Sequence, residues 1–141
     1  MSTGPAVEVA VTFLWLGMVL AISFLEAPLK FRAPNVTLQI GLGIGRLVFR
    51  ALNSVEVVFA VVILVAAVGS PPQTAVTVAF VVAFATLGLQ LGAVRPRLNR
   101  RSDKVLAGLN APRSRGHYVY VGLEVVKVLA LAVAGILLLS S

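Results

Sequence analysis

Residues 46–68 read RLVFRALNSVEVVFAVVILVAAV, and this stretch decides the fold. A hydrocarbon core about 30 Å thick is crossed by about 20 mostly apolar residues in a helix. After Glu56 the run carries no polar side chain until Gly69-Ser70-Pro71-Pro72 breaks it. Three further stretches match it. Residues 7–26 (VEVAVTFLWLGMVLAISFLE) stop at Pro28, residues 74–94 stop before Arg95-Pro96, and residues 117–139 run almost to Ser141. β-Branched residues are frequent, but an open sheet edge in lipid would leave backbone groups unpaired, so uninterrupted length favours helix. The expected fold is all-α: one domain, residues 1–141, forming a four-helix transmembrane bundle.

Composition agrees. Of the 141 residues 59% are hydrophobic and 12% charged, where soluble domains carry about a quarter charged residues. Disorder is excluded, since disordered chains are poor in apolar residues. A net charge of +7 would fit a nucleic-acid binder, but too little polar sequence remains to build a water-soluble binding surface, so no nucleic-acid partner is expected. The absence of cysteine removes disulfides, thiolate metal sites and cysteine nucleophiles. Residues 1–6 contain no lysine or arginine, so the first stretch is expected to stay as a helix rather than act as a cleaved signal.

Charge position predicts orientation. Lys30, Arg32, Arg46 and Arg50 flank the first connection; Arg95, Arg97, Arg100, Arg101, Lys104, Arg113 and Arg115 fill the third. Four spans put both connections on one side, and Lys127 is the only base elsewhere. The positive-inside rule then places the basic connections in the cytoplasm and both termini outside, in a multi-pass protein of the plasma (inner) membrane. Within the long loop 95–116, Ser102 is expected to cap a short interfacial helix ending near Asn110. Arg97, Arg100, Arg101 and Lys104 read as partners of anionic lipid headgroups.

The acidic residues are Glu8, Glu26, Glu56, Asp103 and Glu124. A charge at mid-span costs roughly 2.5–3.5 kcal/mol on insertion scales, so it needs a partner or a purpose. Glu26, Glu56, Gln90 and Glu124 come one from each span and, at about 1.5 Å per residue, fall in the same half of the bilayer. Steps of three and four extend these positions into stripes. Thr12, Leu16, Val19, Ser23 and Glu26 form one; Ala79, Ala83, Thr86 and Gln90 a second; His117, Tyr120, Glu124 and Lys127 a third. Arg50, Asn53 and Glu56 align more loosely. Turned inward, they would line a polar pocket open to the cytoplasm. The competing reading is a packing network, with Glu124 paired to Lys127, Glu56 to Arg50 and Glu26 to Gln90.

Other signals carry less. Gly41-Leu42-Gly43-Ile44-Gly45 lacks the strand and lysine-serine of a phosphate loop and reads as a flexible start to the second span. Gly88 and Gly92 have the small-xxx-small spacing that permits close helix packing, within the bundle or between copies of a homo-oligomer. Asn35-Val36-Thr37 matches a glycosylation sequon on the side assigned to the cytoplasm. His117 alone does not make a metal site, and Met1 and Met18 do not make a copper site.

Several short motifs resemble a known group. Ala27-Pro28-Leu29-Lys30-Phe31 is similar to the "APxLF" motif of small bacterial four-span proteins related to transmembrane protein 205. Gly45-Arg46-Leu47-Val48-Phe49 resembles that family's "GRLF", and the Gln90–Pro96 stretch and His117 resemble its third-span exit and fourth-span start. The resemblance implies four membrane helices and no settled activity. Glu26, Glu56 and the Glu124/Lys127 pair depart from the family's pattern.

The leading expectation is therefore a membrane protein that binds or transports a cation, a proton or a cationic solute. Glu26, Asn53, Glu56, Gln90, Glu124 and Lys127 would line its site. Two alternatives remain: an accessory subunit whose carboxylates only specify packing, and an enzyme or redox-cofactor protein. Haem would need His117 and a second, non-histidine ligand, and no cofactor is assigned.

Overall fold

The computed structural model describes residues 1–109 and 115–141. It contains four helices long and apolar enough to cross a membrane: α1 (Thr3–Arg32), α2 (Leu38–Gly69), α3 (Thr74–Leu106) and α4 (Arg115–Ser140). No strand occurs among the described residues. The link between α1 and α2 is tight. Asn35 takes a positive φ of 67°, a conformation asparagine tolerates better than most residues. Thr37 then caps α2, its Oγ1 accepting from the Ile40 N–H at 3.1 Å. Two residues of the sequon-like triplet thus have local structural roles.

The helices run further than their apolar stretches. Neither Pro28 nor Pro96 stops its helix, because each follows a π-helical segment: Leu20–Glu26 in α1 and Gln90–Val94 in α3. A proline ring clashes with the carbonyl four residues back and cannot donate to it. The wider π turn relieves that conflict and lets the chain continue. In α3 the continuation is Arg95–Leu106, so Ser102 lies inside a helix rather than capping one. The expected helix end near Asn110, and Arg113 with it, lie outside the described residues.

Residues 41–45 are also helical, not a flexible lead-in. Their glycines make room instead. A Cβ on Gly41 would lie 2.1 Å from the Phe31 ring, and one on Gly45 would lie 2.8 Å from Lys30 Nζ. The end of α1 therefore rests directly on the start of α2.

α1 packs between α2 and α4, and α4 packs between α1 and α3. α2 meets α3 through the Arg95–Leu106 extension. There Arg46 pairs with Asp103, and Gln39 donates to the Leu106 carbonyl at 2.9 Å. Small residues let α3 and α4 approach closely: Ala79 and Ala83 on one, Ala130 and Ala134 on the other. Trp15, Phe80, Leu131 and Leu138 fill the rest of the core.

The polarity of the bundle is inverted relative to a soluble protein. Leu64, Val65, Leu129 and Ile136 face outward, while Glu8, Glu56, Gln90, Glu124 and Lys127 are buried. Such a surface suits a hydrocarbon surround, and it leaves the buried charges to find partners among themselves.

Candidate functional site

Lys127 is the centre of the site. Its side chain is fully buried, and an ammonium has three protons to place. It donates one to Glu56 Oε2, one to Gln90 Oε1 at 2.8 Å, and pairs with Glu124 Oε1 at 2.6 Å. Three helices therefore converge on one cation. Glu124 reaches it from three positions earlier on α4, Glu56 from α2, and Gln90 from the first residue of the π segment in α3.

Further donors hold the carboxylates in place. The Trp15 indole N–H of α1 donates to Glu56 Oε2 at 2.8 Å. Ser23 Oγ, in the π segment of α1, donates to Glu124 Oε2 at 2.6 Å, and Gln90 Nε2 donates to Glu124 Oε1 at 3.2 Å. Glu56 Oε1 is the exception, buried with no hydrogen-bond partner. Two carboxylates against one ammonium leave one formal negative charge in excess. Lys127 also occupies the place that a bound cation would take.

On the basic side of this cluster, the four helices enclose a cavity of about 410 Å³. Glu124 lines it and is thus the one group of the cluster's charges that also faces open space. Four cations, Lys30, Arg46, Arg95 and Arg101, line the same cavity, with Phe24, Phe31 and Phe49 among its apolar walls. The Arg95 guanidinium carbon lies 4.4 Å from the Tyr120 ring centre and 5.0 Å from that of Phe49, against the corner these two edge-to-face rings form. A second cavity of about 290 Å³ lies beyond Arg46 and Arg95, bordered by Arg50 and Asn53.

The residues expected from the sequence divide into two groups. Glu56, Gln90, Glu124 and Lys127 meet. Glu26 and Asn53 do not join them. Glu26 lies at the end of the π segment, 3.8 Å from Lys30 Nζ; a π turn advances the chain by less rotation per residue, so a stripe extrapolated at α-helical spacing drifts off the inward face. Asn53 is buried but borders the second cavity, with Oδ1 unpartnered. Pairing of Glu56 with Arg50, or of Glu26 with Gln90, is not what forms: Glu56 takes Lys127, and Gln90 takes Glu124 and Lys127.

The basic residues and glycines separate similarly. Arg97, Arg100 and Lys104 are exposed on the α3 extension, whereas Arg101 turns to the cavity. Gly88 and Gly92 face open space, and a Cβ on either would meet nothing within 4 Å, so they do not bring helices of this bundle together. Sequence reasoning missed Trp15. The signal was available: Glu8, Thr12, Trp15 and Val19 are the buried positions of α1 and follow helical steps, and a buried indole N–H needs an acceptor.

Among the described residues, no group of three His, Asp or Glu side chains is placed to hold a metal ion. Fold and site together define a class: an all-helical protein with four helices suited to a membrane and a buried charge cluster joining three of them. Comparison with family models, curated proteins and solved structures finds no match for this chain.

Proposed function

We propose that the protein binds a proton at the Glu56–Glu124–Lys127 cluster and passes it between the membrane interior and the basic end of the bundle. The supporting observation is that Glu124 belongs both to a sealed ion cluster and to the wall of an open cavity. Of a cation, a proton and a cationic solute, the proton fits best. A second metal or organic cation would have to displace Lys127, which already makes three polar contacts. A proton needs no such space. Added to Glu124, it cancels the excess negative charge and leaves Glu56 and Lys127 as a balanced pair.

The distribution of basic residues supports an orientation with that cavity toward the cytoplasm and both termini outside. Arg97, Arg100 and Lys104 then lie where anionic headgroups are found. The resemblance to the transmembrane protein 205 group is compatible with this reading and adds no activity to it.

A second reading, a packing device, draws on the nearly complete pairing of the cluster. Proton flux separates the two. Protein is reconstituted into liposomes containing a pH-sensitive dye, and a potassium diffusion potential drives protons inward. Wild type is expected to acidify the lumen faster than protein-free liposomes, and Glu124→Gln to return to the protein-free rate while retaining its helical circular dichroism. Wild-type flux equal to that of protein-free liposomes, or a Glu124→Gln variant as fast as wild type, contradicts the proposal and favours the packing reading.

A further inference from the structure

The cavity itself does not suit a cation. Its charged lining is four bases, Lys30, Arg46, Arg95 and Arg101, against the single carboxylate of Glu124. Lys30 is 3.8 Å from Glu26, and Arg46 is paired with Asp103. Arg95 differs. It makes no ion pair among the described residues, and its Nε and Nη2 atoms are buried without a hydrogen bond.

These two nitrogens share one edge of the guanidinium. That edge is the fork that takes both oxygens of a carboxylate or phosphate side-on. Burying it empty is costly, because each unmade hydrogen bond to a charged donor loses water without a replacement. The same guanidinium already rests against the Tyr120 and Phe49 rings, which meet edge to face, and these contacts restrict its orientation in advance. Such a preorganised fork loses little freedom when a ligand arrives.

The rest of the lining describes the remainder of the ligand. Phe24, Phe31, Leu42, Leu98 and Val121 give apolar surface beside the cations. About 410 Å³ falls within the range of small-molecule sites, roughly 300–1,000 Å³. Gly41 and Gly45 also line it, and their missing side chains leave space for Phe31 and Lys30 at its wall.

We propose that this cavity binds an amphiphilic oxyanion, a carboxylate or phosphate group on an apolar body, held bidentately by Arg95. Lys30, Arg46 and Arg101 supply the surrounding positive field. The proposal does not rest on proton binding at Glu124, since the groups that hold the anion, Arg95 with Lys30, Arg46 and Arg101, are not those of the Glu56–Glu124–Lys127 cluster.

Dodecyl phosphate is the probe, titrated by thermal stabilisation into protein purified in a nonionic detergent. Inorganic phosphate and dodecyltrimethylammonium are the parallel arms. Arg32→Met, at an exposed base outside the cavity, is the control for loss of one positive charge. Wild type and Arg32→Met are expected to bind dodecyl phosphate alike. Arg95→Met should bind about tenfold or more weakly, the loss of a charge-assisted pair of hydrogen bonds. Arg95→Lys keeps the charge but not the fork, should bind nearly as weakly, and carries the comparison if Arg95→Met does not fold. Inorganic phosphate is expected to stabilise less than dodecyl phosphate, and the ammonium amphiphile not at all. Equal binding by the Arg95 variants and Arg32→Met overturns the site. Inorganic phosphate binding as tightly as dodecyl phosphate overturns the amphiphile and leaves a free oxyanion as the ligand.

Discussion

Lys127 illustrates how a residue that is costly in isolation becomes tolerable in company. A lone ammonium in hydrocarbon is expensive, but here every proton has an acceptor on one of three helices. The balance makes unequal predictions for its partners. Lys127→Met strands two carboxylates and is expected to cost about 3–5 kcal/mol. Glu124→Gln keeps an acceptor oxygen for Lys127, can donate its amide N–H to the Ser23 hydroxyl and leaves one charge against one, so it should cost no more than about 1 kcal/mol. Denaturant unfolding in detergent, followed by circular dichroism, checks both; equal losses would contradict the pairing described. Trp15 is the only tryptophan, and its N–H is spent on Glu56. Its emission is therefore expected to be insensitive to iodide in wild type. Glu56→Ala should shift the emission wavelength, whereas Ser54→Ala, two residues away on the exposed side of the helix, should not.

Among the elements, the two π segments explain most of what the sequence concealed. The inward placement of Glu56, Gln90, Glu124 and Lys127 was legible because α2 and α4 are regular across it and Gln90 opens the irregular turn rather than following it. Glu26 was not legible, since it is the last of seven π-helical residues. Proline was the visible mark of each irregularity, but its usual meaning, a stop, was overridden by a wide turn just before it. The glycines make a sharper distinction than their spacing implies. Gly41→Ala must displace the Phe31 ring and should destabilise by roughly 1–3 kcal/mol. Gly88→Ala and Gly92→Ala meet nothing and should each be neutral or stabilising by up to about 1 kcal/mol, as expected when glycine is removed from a helix. Thermal unfolding of the three single variants distinguishes a supporting glycine from an idle one.

At the scale of the whole molecule, the inverted polarity follows from composition. With 12% charged residues, the chain cannot coat itself in polar groups, and the few charges within its apolar helices gather inside. The two cavities described lie toward the end that carries the arginines, an asymmetry already visible in the distribution of basic residues along the chain. What no periodicity could reveal was the division of labour: the carboxylates close on a lysine, and the open space next to them is lined by bases. Orientation is testable because the chain has no cysteine of its own. A single cysteine at Ser70 should react with a membrane-impermeant maleimide added outside intact cells, and one at Ser102 only after the cells are opened. The reverse pattern would invert the proposed topology.

Glu124 is proposed to take up a proton while the bundle stays folded. Infrared difference spectroscopy through a pH step tests it at the group concerned. Wild type is expected to gain a carboxylic-acid C=O band that shifts in deuterated buffer, and Glu124→Gln to lack that band while its amide bands match wild type. A band of equal intensity in both proteins, or one that appears only as the amide bands report unfolding, would contradict the account.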